Sequence, residues 1–318
     1  MKNKHSINIS DWVIYIGMIG IFVVFSIICS AMGKNFLTLN NVMNIVNQAS
    51  INAILAIGAS IVILTGGIDL SVGSVVGFIG IFLAMNLKDG MSVPLAIVLC
   101  LICGAIVGLF NGILISYGKV PAFITTLGSM QVVRGMAQII NGGQAVSGFP
   151  LDIGKVMKTK FFDVVPIGVL YVIIFYTIMI LVLSYTKFGR GVYAIGGNAH
   201  AARLSGIKVK KLEVIVYVIC GVFAAFAGVM LLGRLLYADP SAGNSYEMNA
   251  IAAAVIGGIS MSGGKGKLAN TVVGAIILAT LTNGLQIMNV ATYYQTVITG
   301  LVVIVAVFAD KQKERKAE

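Results

Sequence analysis

Charged residues are scarce in this chain. They make up 10% of its 318 residues, where a soluble domain carries about 25%, and that scarcity excludes an ordinary water-soluble fold. There are two histidines, His5 and His200, too far apart in sequence to suggest a metal site or a proton relay. No nucleotide-binding loop is present: the glycine–lysine spacing around Gly258 to Lys265 misses the P-loop pattern, and Gly266 stands where Ser or Thr would hold magnesium. No carboxylate pair and no Ser/His/Asp set is arranged near a plausible pocket. The four cysteines, Cys29, Cys100, Cys103 and Cys220, all fall within apolar runs. Cys100 and Cys103 form a CxxC without a second pair or a histidine, which reads as packing cysteine. The chain therefore reads as a non-enzyme with no cofactor and no metal.

Apolar sequence fills the space these absences leave. Hydrophobic residues are 58% of the chain and the mean hydropathy is +0.99. A spanning helix needs roughly 20 mostly apolar residues, because hydrocarbon offers no partner to a free backbone N–H or C=O. Such runs recur at about 12–32, 45–65, 71–87, 93–116, 122–140, 164–185, 213–233, 248–262, 268–288 and 293–309. The expectation is an all-α, polytopic transmembrane bundle of about ten spans, forming a single domain over 1–318. The 248–262 run is short and glycine-rich, so eight spans plus a re-entrant pair is the alternative. The first run follows Met1-Lys2-Asn3-Lys4 without a small-residue cleavage pattern and reads as a retained anchor.

The net charge of +11 does not point to nucleic acid, because the basic residues sit in short clusters between apolar runs. That is the positive-inside pattern. Lys2 and Lys4 at one end and Lys311, Lys313, Arg315 and Lys316 at the other place both termini in the cytoplasm, which requires an even number of crossings. Lys119, Lys265, Lys267 and the cluster from Lys187 to Lys211 then fall inside. Lys34, Lys88, Arg234 and the group Lys155, Lys158 and Lys160 fall outside.

Glycine is abundant, with 38 residues against five prolines. Gly104, Gly108 and Gly112 repeat every fourth residue and mark a close helix-packing face. Gly66-Gly67-Ile68-Asp69-Leu70-Ser71 is echoed by Gly257-Gly258-Ile259-Ser260-Met261-Ser262, a pattern that accompanies interrupted helices along translocation paths and also ordinary helix junctions. Asp69 either caps the following helix or accepts backbone N–H groups in such a break. Arg134 either lines a polar path with a carboxylate partner or snorkels to a surface. Asn47, Gln48, Asn52, Asn111, Gln131, Asn283 and Gln286 either meet a polar cargo or bond neighbouring helices.

The most specific segment is the long basic loop at about 187–212. Within it Asn198 is placed to cap a short helix over 199–204, and Gly206 to end it with φ above zero. A short capped helix bounded by glycine can dock into a partner's groove; an ordinary basic loop touching lipid is the alternative.

This segment, YAIGGNAHAARLSGI at 193–207, resembles the coupling segment of the permease subunits of bacterial ABC importers for monosaccharides, the ribose-type family. Other parts of the chain resemble other segments of the same family: ILTGGIDLSVGS at 63–74 its signature after the second span, NGILISYGKVPAFITTLGSMQVVRG at 111–135 its central segment, and YEMNAIAAAVIGGISMSGGKG at 246–266 and NGLQIMNVATYYQTVITGLVVIVAVFAD at 283–310 its C-terminal third. The chain departs from the family pattern at Asn249, where Asp is usual, and at Ala269-Asn270, where Gly is common. The resemblance implies a permease of the bacterial cell membrane, dimeric with a second permease copy. It also implies service by a cytoplasmic ABC ATPase subunit and an extracytoplasmic sugar-binding protein. Coupling to the ATPase carries over to Gly197, Asn198, Ala201, Ala202, Arg203, Leu204 and Gly206. Ribose is the first expectation for the sugar and galactose the second. A secondary transporter driven by an ion gradient is the alternative function.

Overall fold

The computed structural model describes residues 9–315; Lys2, Lys4, His5 and Lys316, and the side chains of Lys313 and Arg315, lie outside the described residues. The first part of the chain forms α1 (Ile9–Ala31), α2 (Leu39–Leu64), α3 (Val72–Lys88), α4 (Val93–Ser116) and α5 (Ala122–Ile140). A long connection then carries a one-turn helix, α6 (Lys155–Lys158), and a hairpin of two-residue strands, β1 (Lys160–Phe161) and β2 (Val165–Pro166). There follow α7 (Ile167–Tyr185), α8 (Lys187–Leu204), α9 (Val209–Leu235), α10 (Tyr246–Ile256), α11 (Thr271–Ile287) and α12 (Thr292–Arg315). The expectation of an all-α membrane bundle holds.

Helix boundaries follow local chemistry. Thr38 caps α2, its hydroxyl oxygen accepting from the Asn41 N–H at 3.2 Å. The cap starts α2 six residues before the apolar run suggested, through the polar stretch 39–44. Pro121 and Pro166 stand just before α5 and α7, and α4 carries a proline in its first turn. In those places proline's missing N–H removes nothing from the helix.

Among the described residues, six stretches are long and apolar enough to cross a bilayer: 14–31, 39–64, 93–116, 167–185, 209–235 and 268–287. Val72–Lys88, Tyr246–Ile256 and Thr292–Phe308 are shorter apolar helices, and α5 is interrupted chemically by Arg134. α10 differs most from expectation. A span at 248–262 was predicted, but α10 has 11 residues and reaches only about 16 Å at 1.5 Å per residue, half of a hydrocarbon core.

The interior is built around α2, which packs against α7, α9, α10 and α11. Its side chains from Ser50 to Leu64 are all buried. The peripheral helices are the reverse of soluble ones, with Ile19 and Ile27 of α1, Ile106 and Phe110 of α4, and Ile173 and Leu181 of α7 facing outward. Such a surface is stable only against lipid or another apolar surface.

The predicted glycine face is a backbone-to-backbone contact between α4 and α9. A Cβ on Gly104 would strike the Gly221 carbonyl, one on Gly108 the Tyr217 carbonyl, and one on Gly112 the Val214 Cα at 2.8 Å. α4 and α9 thus touch backbone to backbone, where dispersion alone must hold them in lipid. At the other edge, the Phe25 ring of α1 lies over Gly284 of α11, and the Lys34 ammonium donates to the Ile287 carbonyl at 2.6 Å.

Gly108→Leu should therefore lower the melting temperature of the detergent-solubilised protein, by the equivalent of about 3 kcal/mol, since backbone cannot yield as a side chain does. Gly20→Leu on α1, where a Cβ meets nothing, should leave it within about 0.5 kcal/mol. Equal melting of the two variants would contradict the packing described.

Candidate functional site

The 187–212 region is mostly helix, not loop. Thr186 caps it, accepting from the Gly189 N–H at 3.3 Å, and α8 runs until Asn198 breaks it with extended backbone (φ −163°, ψ 101°). There the Asn198 carboxamide oxygen accepts the Ala201 N–H at 2.9 Å, the cap its position predicted. The short second half ends at Gly206 (φ +83°), where the Gly206 N–H donates to the Arg203 carbonyl and the Ile207 N–H to the Ala202 carbonyl. This paired closure needs the left-handed conformation that glycine adopts without strain.

The result is a capped, exposed knob. Gly197, Asn198, Ala201, Arg203 and Leu204 face outward, Leu204 being 78% exposed. Ala202 differs from expectation: it is buried against Ile195 and Val209. It roots the knob and does not present a face to a partner.

The knob's base touches the chain just beside the two glycine motifs that echo each other in sequence. A Cβ on Gly196 would strike both the Leu64 carbonyl and the Gly264 amide. The Gly264 N–H donates to the Leu64 carbonyl at 2.9 Å, and the Tyr193 hydroxyl donates to the Gly266 carbonyl at 3.0 Å. The end of α2, the 257–267 turn and the hinge of α8 meet here as bare backbone.

Asp69 lies in the break between α2 and α3 and is 3% exposed. Its Oδ1 accepts both the Ser71 N–H at 2.9 Å and the Ser71 hydroxyl at 2.6 Å, while Asn111 donates to the Ser71 oxygen at 3.0 Å. The same break leaves the Ile68 carbonyl free of helix bonding, and the Tyr217 hydroxyl donates to it at 3.3 Å. Asp69 is a structural brace by this geometry. Arg134 does a comparable thing elsewhere. Its Nη1 donates to the Pro240 carbonyl at 2.6 Å and the Ala242 carbonyl at 2.7 Å, pinning the connection between α9 and α10. Asp69 and Arg134 thus serve two separate breaks.

Of the polar candidates, Asn41 and Asn283 exchange hydrogen bonds at 3.0 Å. Gln48, Asn52 and Gln286 instead converge on a cavity of about 570 Å³ between α2, α10, α11 and α12. Among the described residues no group of histidines, cysteines and carboxylates could hold a metal ion.

The whole arrangement is that of a membrane-helix bundle bearing an exposed, capped knob, and comparison with known proteins gives its family. A family model described as the permease component of branched-chain amino acid transport systems matches residues 41–307. The ribose import permease of Bacillus subtilis (strain 168) is 41% identical over 296 residues, covering 93% of this chain and 92% of that one. The ribose import permease of Escherichia coli (strain K12) is 39% identical over 306 residues, covering 93% of each chain. The D-allose transport system permease of Escherichia coli (strain K12) is 38% identical over 301 residues, covering 92% of this chain and 91% of that one. The chain belongs to this family of transport permeases. No solved structure matches it.

In this permease, sequence reading found the knob, its cap and its closing glycine, because those are local events. It missed the contacts of Gly196 and Tyr193, whose partners Leu64, Gly264 and Gly266 lie about 70 residues or more away. It also missed Asn249, Gln295 and Thr299 of the cavity, which gain meaning only when α10 and α12 face α2.

Gly196→Ala should pry the knob's base from the 257–267 turn. Amide exchange at Gly264, whose N–H is held by Leu64, should speed about tenfold or more, the kinetic equivalent of a cost above roughly 1.4 kcal/mol. Gly197→Ala, where a Cβ meets nothing, should leave it unchanged. Unaltered exchange in Gly196→Ala would show that the contact is loose.

Proposed function

We propose that this chain is the membrane-spanning subunit of an ATP-driven importer of monosaccharides, with ribose the foremost substrate, in the bacterial cell membrane. The observation that carries the reading is the knob at 197–206, rooted by Ala202 and joined through Gly196 to both interrupted segments. Relatives named as ribose import permeases support the substrate. A permease component carries no ATPase site of its own. The knob is where a cytoplasmic ABC ATPase would push, and an extracytoplasmic binding protein would deliver the sugar. A second permease copy completes the assembly, and lipid covers the remaining apolar faces.

In this reading the chain crosses about ten times, with both termini in the cytoplasm. α10 and the non-helical segments on either side of it, 236–245 and 257–267, together make one interrupted crossing. The basic residues of α8 and Lys265 then share one face, as the charge pattern requires. Transport is alternating access. Closure of the ATPase displaces the knob, and the turn and α2 end in contact with it shift in turn. An ion-gradient mechanism finds less support. It needs a titratable group free to load and unload at mid-membrane, whereas Asp69 is occupied by Ser71 and Arg134 by two carbonyls.

Ala201→Glu puts bulk and charge on the exposed face of the knob, and Gly206→Val forces a β-branched residue towards φ above zero. Both should keep normal membrane abundance while losing co-purification of the ATPase and at least about 90% of sugar uptake, a loss that corresponds to roughly 1.4 kcal/mol or more. Wild-type uptake with the ATPase retained in both variants would remove the knob as the coupling element.

A further inference from the structure

Some amides inside the bundle are spent on other protein groups, while the buried Asn47 and Asn111 oxygens have no partner among the described residues. Asn41 and Asn283 bond each other, and Asn111 bonds Ser71. Gln48, Asn52, Asn249 and Gln286 are different. All four line the 570 Å³ cavity, and none of their side chains makes a hydrogen bond within the described residues; the Asn249 carboxamide oxygen is fully buried and unpartnered. Gln48 and Asn52, one turn apart on α2, share a face. Asn249 comes from α10 and Gln286 from α11, so three helices aim free amides at one space.

An unpaired amide away from water is costly. Of the four, Asn52 is buried and the Asn249 oxygen is out of reach of solvent, so a polar occupant would relieve their cost, while the half-buried Gln48 and the exposed Gln286 stand open to whatever enters. Each carboxamide offers both donors and acceptors, which is what a ring of vicinal hydroxyls needs, since every hydroxyl also gives one and takes one. The lining includes Gln295 and Thr299 and no Asp, Glu, Lys, Arg or His. Nothing there would neutralise a phosphate, a carboxylate or an ammonium. The volume lies within the range of small-molecule sites, about 300–1,000 Å³.

We propose that this cavity is a holding site for an uncharged polyhydroxylated sugar in transit, gripped by Gln48, Asn52, Asn249 and Gln286. It rests on the importer reading and gives that reading its specificity: hydroxyl-rich and neutral cargo, charged analogues excluded. The site is half open to one side, so the grip is suited to release as much as to capture.

The test uses the complete complex of permease, ATPase and binding protein in proteoliposomes, with D-ribose and 2-deoxy-D-ribose as probes. The variants are Asn52→Leu and Gln286→Leu, the second on a side chain exposed to the cavity and so harmless to folding. Each should cut ribose uptake about five- to tenfold, the scale of one lost hydrogen bond to a buried polar group. Each should also narrow the preference for ribose over its deoxy analogue, while ATPase co-purification stays normal. Gln286→Asn should restore part of both. Wild-type import with unaffected rates and preference in both leucine variants overturns the site alone. A wild-type complex that imports neither sugar overturns the importer reading and takes the site with it.

Discussion

Backbone that leaves a helix inside a bilayer must find hydrogen-bond partners within the protein, and this permease is organised by how it meets that demand. Its chain breaks between α2 and α3, between α9 and α10, and again before α11. Each break frees carbonyls and amides that the helix no longer pairs. The structure answers with long side chains and close backbone. Tyr217 reaches the Ile68 carbonyl, Arg134 reaches Pro240 and Ala242, and Tyr193 reaches Gly266. The Gly264 amide finds the Leu64 carbonyl directly. A polar residue in the bundle is thus first a repair to interrupted backbone. The four amides of the cavity differ from these in sharing one space.

Glycine makes the second half of the answer. Where α4 crosses α9, and where α8 meets the 257–267 turn, no side chain separates the backbones. Contacts of that kind transmit displacement without slack, because there is no rotamer to absorb it. The knob on α8 is accordingly tied at its base to two interrupted segments at once.

The sequence showed what is local. Apolar run length located most helices to within a few residues. The four-residue glycine spacing on α4 announced its packing face, and Asn198 and Gly206 announced the limits of the knob. Three things were not legible. The 248–262 run continues beyond Ile256 but contains Gly257 and Gly258, and only tertiary contact decides that the helix stops there. Ala202 and Ala201 are identical residues side by side, and the direction of the knob alone sends one inward. Asn283 and Gln286 share one helix, yet Asn283 faces Asn41 and Gln286 faces the cavity, a distinction set by partners more than 200 residues away.

The account depends most on the knob and its glycine junction lying at the cytoplasmic surface. The most direct measurement places a single cysteine at His200, in a background lacking the four native cysteines, and treats intact cells with a membrane-impermeant thiol reagent. The account predicts no labelling until the cells are permeabilised, then full labelling of this exposed position. Labelling in intact cells would put the knob outside, away from any ATPase, and would contradict the assignment of the coupling face.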